Sequence, residues 1–122
     1  MKVALITGGL GFIGSQIARN MIQDNIVDKA VLLDHYGGFI NPLMSDFQDY
    51  RRYRLEGIED NVIIERGETR NSIIMTNLID KYRPEYVIHT AALPLAKIDN
   101  LNAAEAREGS VDSTAGILEI IN

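Results

Sequence analysis

The sequence predicts an α/β fold in which a parallel sheet is covered by helices on both faces. Short, continuously apolar runs recur at Val3 to Ile6, Ala30 to Leu33, Val62 to Ile64 and Tyr86 to Ile88. Unbroken rather than alternating hydrophobicity marks strands buried on both sides. Segments with helical spacing separate these runs, and such alternation favours parallel strands joined by helical crossovers. A glycine-rich turn, Thr7-Gly8-Gly9-Leu10-Gly11-Phe12-Ile13-Gly14, links the first run to the first helical segment. Right-handed crossovers then give the strand order 3-2-1-4, a three-layer sandwich around a partial doubly wound sheet.

Ile13, Ile17 and Met21 mark the first helix, and Leu43, Phe47 and Tyr50 the second, with Pro42 suited to its first turn. Ile74, Leu78 and Tyr82 mark the third, which Asn71 or Ser72 can cap and Pro84 helps to end. The segment Leu101 to Asn122 carries Ala103, Ala104, Val111, Ile117, Leu118 and Ile121 on a helix-compatible background, with no following glycine as a stop signal. The fourth strand is expected at an open edge. An apolar edge needs another strand, a partner chain or a covering element, so residues 1–122 are expected to be the N-terminal portion of a longer protein.

The 122 residues, 46% hydrophobic and 24% charged, have the composition of one ordinary globular domain. Twelve Lys plus Arg against 17 Asp plus Glu leave a net charge of -5, which argues against a sequence-independent grip on nucleic acid. The absence of cysteine excludes disulfides, thiolate nucleophiles and thiolate metal sites, and a cytoplasmic location is expected. No apolar stretch approaches the ~20 residues of a membrane-spanning helix, so no membrane partner is expected. The glycines after Val3 to Ile6 make a strand and turn, not a secretory signal. Tyr50-Arg51-Arg52-Tyr53-Arg54 is flanked by Asp46, Asp49 and Glu56 and reads as a solvated helix face. His35 and His89 lack a metal partner, His89 is expected to pack near a strand end, and Asp99, Glu105 and Glu108 read as surface. No metal site is assigned.

Gly8, Gly11 and Gly14 have the spacing G-x-x-G-x-x-G, which serves a tight turn, backbone approach to a pyrophosphate, and close packing of helix on strand. The helix start adds unpaired N–H groups for the phosphates. Asp34 lies 20 positions after Gly14, at the end of the next strand. A carboxylate there accepts hydrogen bonds from both adenosine ribose hydroxyls and repels a 2′-phosphate. His35, Tyr36 and Gly37 follow without an arginine, so the site is a Rossmann-type cradle expected to prefer NAD over NADP.

Together with Gly67-Glu68-Thr69 and His89-Thr90-Ala91-Ala92, these segments resemble the N-terminal half of the extended short-chain dehydrogenase/reductase family, specifically its NAD-dependent nucleotide-sugar epimerases and dehydratases. The resemblance spans nearly the whole chain. It implies that the backbone around Phe12 and Ile13 meets the pyrophosphate. Glu68, in place of the more usual Asp, would contact the adenine amino group with Thr69 alongside. Thr90, Ala91 and Ala92 would pass beside the nicotinamide-side ribose, and His35 joins Asp34 among the cofactor-binding residues. Where the family reads Asn-Val-x-Gly-Thr, this chain has Ser110-Val111-Asp112-Ser113-Thr114, so Ser110 joins the expected cofactor-binding residues as a hydrogen-bond donor of shorter reach than the family's Asn, and Pro94 stands where such epimerases can carry a lysine.

Family members catalyse with a tyrosine, a lysine four residues later and an upstream Ser or Thr. None of the five tyrosines is followed by lysine at that spacing, so no catalytic residue is assigned and residues 1–122 are expected to be inactive alone. The resemblance implies the NAD-binding portion of an epimerase or dehydratase, with a nucleotide sugar as substrate of the full-length enzyme and self-association, as a homodimer or another assembly. A stand-alone NAD-binding or interaction module and an NADP-dependent carbonyl reductase are the alternatives.

Overall fold

Four strands pair in parallel in the order β3-β2-β1-β4, as expected: β1 is Val3–Thr7, β2 Lys29–Asp34, β3 Val62–Arg66 and β4 Tyr86–His89. The structure is a computed structural model that describes residues 1–35, 51–91 and 103–122. In the register, Leu5 lies beside Val31 on one side and Val87 on the other, and Leu32 lies beside Ile64. Among the described residues the helices are α1 (Phe12–Gln23), α2 (Arg51–Arg54), α3 (Ser72–Tyr82), α4 (Ala103–Ala106) and α5 (Ser113–Ile121). A 3-10 turn at Glu59–Asn61 leads into β3, and wide π-type turns at Arg107–Asp112 join α4 to α5. The expected helix around Leu43, Phe47 and Tyr50, together with Pro42, Ala92, Pro94 and Asp99, lies outside the described residues.

Side chains of β1 and β2 alternate between two apolar cores, which is why both strands read as unbroken apolar runs. Ala4, Ile6, Ala30 and Leu32 pack on one face with Leu10, Ala18, Met21, Leu55 and Ile58. Val3, Leu5, Val31 and Leu33 pack on the other with Met75, Leu78 and Ile117. Full burial of each Leu, Ile or Val side chain favours the folded state by about 1.5–3 kcal/mol.

Three expectations are corrected. The face of α1 that is buried is Gly14, Ser15, Ala18 and Met21, whereas Ile13 is 64% exposed. The face begins with the small residues Gly14, Ser15 and Ala18 because the first turn presses against the preceding loop, leaving Ile13 on the outer side. Among the described residues β3 and β4 are the edges of the sheet, so Ile64 is 43% and Tyr86 42% exposed and neither run is buried on both faces. The last segment is not one uniform helix. Its π-type turns offset the two parts, and Ile117 enters the core while Val111, Leu118 and Ile121 remain exposed.

Local chemistry fixes α3. Asn71 Oδ1 accepts from the backbone N–H groups of Ile73 and Ile74, both at 3.1 Å, satisfying two of the amides that a helix start leaves unpaired. At the other end Arg83 is left-handed, with φ 45°, and Pro84 bars a further helical turn. Asn71→Ala is expected to cost about 1 kcal/mol and Leu5→Ala, at the centre of the sheet, about 2–5 kcal/mol. Urea unfolding of both variants monitored by circular dichroism measures the two costs.

Candidate functional site

The C-terminal ends of the parallel strands bring Thr7, Asp34, Arg66 and His89 to one edge of the sheet. The chain leaves β1 toward β2 on one side, while β4 lies on the other. Such a reversal opens the crevice in which sheets of this kind hold their ligands.

The turn after β1 forms the floor of that crevice. Gly8 has φ +67°, and a Cβ there would lie 2.9 Å from the Ala91 backbone nitrogen. The loops after β1 and β4 thus meet where only glycine fits. A Cβ on Gly14 would stand 2.4 Å from the Gly8 carbonyl oxygen, so the close packing provided by Gly14 is of helix on loop, not of helix on strand. Gly9 escaped the sequence reading. A side chain there would meet Leu32 Cβ at 2.7 Å, and the adjacent Gly8-Gly9 pair was the available signal.

Helix α1 begins at this turn with Gly11 as N-cap, no side-chain cap and no acidic residue in its first turn. Its first helical hydrogen bond runs from Ser15 N–H to the Gly11 carbonyl at 3.1 Å. The amides of Phe12, Ile13 and Gly14 precede that bond and have no carbonyl of their own helix to meet. Phe12 and Ile13 are 80% and 64% exposed. An uncapped, positively polarised helix start beside a crevice has the chemistry to receive a phosphate, so the residues present fit a dinucleotide.

Asp34 Oδ2 accepts from the Leu10 N–H at 3.3 Å, which joins the carboxylate at the end of β2 to the glycine turn, and His35 follows it in an exposed position. The expectation of a solvated face at residues 50–54 holds for Arg52 and Tyr53, which are exposed, but not for half-buried Arg54. Its Nη1 donates to the Leu10 carbonyl at 2.8 Å, because buried Leu55 draws this part of the chain against the loop. Farther along the same edge, Glu68 Oε2 accepts from Arg70 Nη2 and Nε at 2.8 and 3.2 Å. Glu68 is thus already charge-paired, with half-buried Thr69 beside it.

On the β4 side, the Thr7 carbonyl accepts from both the N–H and the hydroxyl of Thr90, at 3.1 and 2.6 Å. Thr7 Oγ1 accepts from the Ala91 N–H at 3.3 Å and lies 2.6 Å from His89 Nδ1. His89 Nε2 lies 3.4 Å from the hydroxyl of Ser113, which donates to the Ser110 carbonyl at 3.5 Å. These contacts form one directed chain if the Thr7 hydroxyl donates to Nδ1 and the imidazole donates through Nε2, the tautomer we assign from the network. Burial holds His89 below its ordinary value and so in the required neutral form.

Thus Gly8, Gly11, Phe12, Ile13, Gly14 and Asp34 gather on one side of the crevice and Thr90 and Ala91 on the other. Ser110 is exposed and enters this network through its carbonyl, which also accepts from Thr114 Oγ1 at 2.6 Å. Ser113 was not among the expected site residues, although its departure from the glycine of the family pattern signalled it. Among the described residues no cluster of three His, Cys, Asp or Glu could hold a metal ion, and no helix is long and apolar enough to cross a membrane.

A family model described as polysaccharide biosynthesis protein matches residues 4–121. The chain belongs to this family. With it, the chain falls among the NAD-dependent epimerases and dehydratases of the extended short-chain dehydrogenase/reductase family, as its motifs imply. It is 39% identical over 93 residues to the dTDP-glucose 4,6-dehydratase of Neisseria gonorrhoeae, a match covering 75% of this chain and 24% of that protein. The Salmonella typhimurium dTDP-glucose 4,6-dehydratase is 32% identical over 122 residues, covering 98% of this chain and 30% of the relative. The family fold recurs in the UDP-glucose 4-epimerase of Thermotoga maritima solved with UDP-glucose, with TM-score 0.72 and 22% identity over 97% of this chain and 33% of that one. The dTDP-glucose 4,6-dehydratase of Bacillus anthracis, solved with NAD, gives TM-score 0.70 and 21% identity over 99% of this chain and 34% of that one. This family member spans about a quarter to a third of the length of the curated relatives it matches.

Two outcomes test the site's architecture. Gly14→Ala is expected to destabilise by roughly 1–3 kcal/mol, read as a shift in urea midpoint, because the added methyl meets backbone. Because the folded state holds His89 below its ordinary value, the unfolded chain binds the proton more readily as pH falls. The stabilisation is full above about pH 6.5 and declines as pH drops from there toward the lowered folded value. Thermal melts at about pH 7.5 and 5.5 are expected to show this loss, and His89→Gln to reduce it.

Proposed function

We propose that residues 1–122 form the NAD-binding portion of an enzyme acting on a nucleotide-activated sugar. Within that class, dehydration is the favoured chemistry and epimerisation the neighbouring one, since the relatives at 39% and 32% identity are dTDP-glucose 4,6-dehydratases. The carrying observation is the uncapped start of α1, with Asp34 bonded to the same glycine turn. In this reading the backbone of Gly8, Gly11, Phe12, Ile13 and Gly14 holds the pyrophosphate, Asp34 and His35 the adenosine ribose, and Glu68 and Thr69 the adenine. Thr90, Ala91 and Ala92 flank the nicotinamide-side ribose, with Ser110 nearby.

When bound, NAD supplies a hydride acceptor and donor for a sugar carbon. The residues described here bind and orient it. The network from Thr7 through His89 to Ser113 fixes the backbone of Thr90 and Ala91, which lets the cofactor lie against small side chains. Because no Tyr-x-x-x-Lys pair occurs in residues 1–122, we place cofactor binding in them and not proton transfer, and residues 1–122 alone are expected not to turn over. Self-association, as a homodimer or another assembly, in the cytoplasm belongs to the same reading.

Calorimetric titration with NAD and NADP tests the assignment. Asp34→Ala should remove ribose hydrogen bonds of ~1–3 kcal/mol each and weaken NAD more than NADP; equal losses would remove Asp34 as the discriminator. Gly11→Val should obstruct the pyrophosphate, and circular dichroism checks its fold, since a Cβ there already stands 3.1 Å from the Gly8 carbonyl. Undiminished NAD affinity in that variant would refute the loop's role.

A further inference from the structure

Leu10 is gripped more firmly than a loop residue between two glycines requires. Its side chain is fully buried, packed with Leu55 and Ile58. Its N–H donates to Asp34 at 3.3 Å and its carbonyl accepts from Arg54 Nη1 at 2.8 Å. A peptide unit is planar and trans, so its C=O and N–H point in opposite directions. The unit joining Leu10 to Gly11 is therefore held at both ends, by Arg54 on its oxygen and by the Gly8 carbonyl, which accepts from Gly11 N–H at 3.0 Å. The next amides along the chain are those of Phe12 and Ile13.

Arg54 is itself fixed. Its carbonyl accepts from Arg19 Nη2 at 2.7 Å, which ties it to α1. The left-handed turn at Gly57, φ +85°, lets Leu55 and Ile58 both enter the core. A short stretch between β2 and β3 thus acts as a buttress behind the glycine turn.

We propose that Arg54 is a positioning residue of the cofactor loop, setting the Leu10–Gly11 peptide so that the amides of Phe12 and Ile13 are already aimed at a pyrophosphate. This rests on the dinucleotide reading above. Arg54 acts through the backbone: its planar guanidinium holds one carbonyl in a fixed direction, which a lysine ammonium reproduces only in part. A loop held in its binding geometry before the ligand arrives loses less freedom on binding.

Arg54→Met and Arg54→Lys are compared with the unsubstituted protein by calorimetric titration with NAD and by amide hydrogen exchange without ligand. The expected result is an NAD Kd raised about tenfold in Arg54→Met and partly recovered in Arg54→Lys. Exchange should quicken at Leu10 and Gly11 while the strand amides of Leu5 and Val31 keep their protection. A residue serving stability alone would lower Tm and leave both the Kd of the folded protein and this selective exchange unchanged. One acting by charge alone would be replaced fully by lysine, with an effect that vanishes in high salt. Either result overturns the proposal. If Arg54→Met does not fold, Arg54→Lys carries the same comparison. Failure of the unsubstituted protein to bind NAD would overturn the cofactor reading and this inference with it, whereas equal binding by all three proteins overturns the role of Arg54 alone.

Discussion

Helix α1 can begin where it does only because no side chain stands between Gly14 and the carbonyl of Gly8. That contact, which would place a Cβ 2.4 Å from oxygen, brings the helix down onto the turn that launches it. Everything at the crevice inherits its position from this approach. The unpaired amides of the first turn lie at the end of β1, Ser15 and Ala18 rather than larger residues face the sheet, and the turn is close enough for Leu10 to reach Asp34. The positive φ of Gly8 serves the same end, since it lets the turn pass within contact of Ala91.

Thr7 is the corresponding hub on the polar side. It is fully buried, yet its carbonyl and hydroxyl between them meet Thr90, Ala91 and His89. Burying a hydroxyl without partners costs free energy, whereas a fully satisfied one fixes its neighbours in a single arrangement. No buried side-chain nitrogen or oxygen among the described residues lacks a partner, and the loops after β1 and β4 are joined accordingly. Ser113 extends this join to α5, so the last helix is tied to the crevice by polar contacts as well as by Ile117 in the core.

Much of this was legible in the sequence. The four strands, their order, the glycine turn and Asp34 follow from local patterns, because unbroken apolar runs and glycine spacing are consequences of burial and backbone geometry that neighbouring residues alone impose. The misreadings share a cause, which is dependence on contacts distant in sequence. Ile13 fits a helical apolar stripe, but the loop beneath α1 decides which side is buried. Ile64 belongs to an apolar run, but its place at the sheet edge leaves it exposed. Arg54 sits in a charged stretch, and only the folded chain shows it bonded to a carbonyl 44 residues earlier. The partnership of His89 with Thr7 and Ser113 was hidden in the same way, and Ala92 lies outside the described residues.

Apolarity on both faces of β1 and β2 has a consequence for how the sheet finds its alignment. In a sheet with one wet face, a shift of one residue would drive apolar groups into water and is strongly opposed. Here such a slip would exchange Ala4 and Ile6 for Val3 and Leu5, one apolar set for another, and burial alone discriminates weakly. The choice falls to hydrogen bonds at the strand ends: Asp28 N–H to the Lys2 carbonyl at 2.8 Å, Glu85 N–H to Val3 at 2.9 Å and Gly8 N–H to Leu33 at 2.8 Å. The turns of this protein, more than its core, tell neighbouring strands how far to slide.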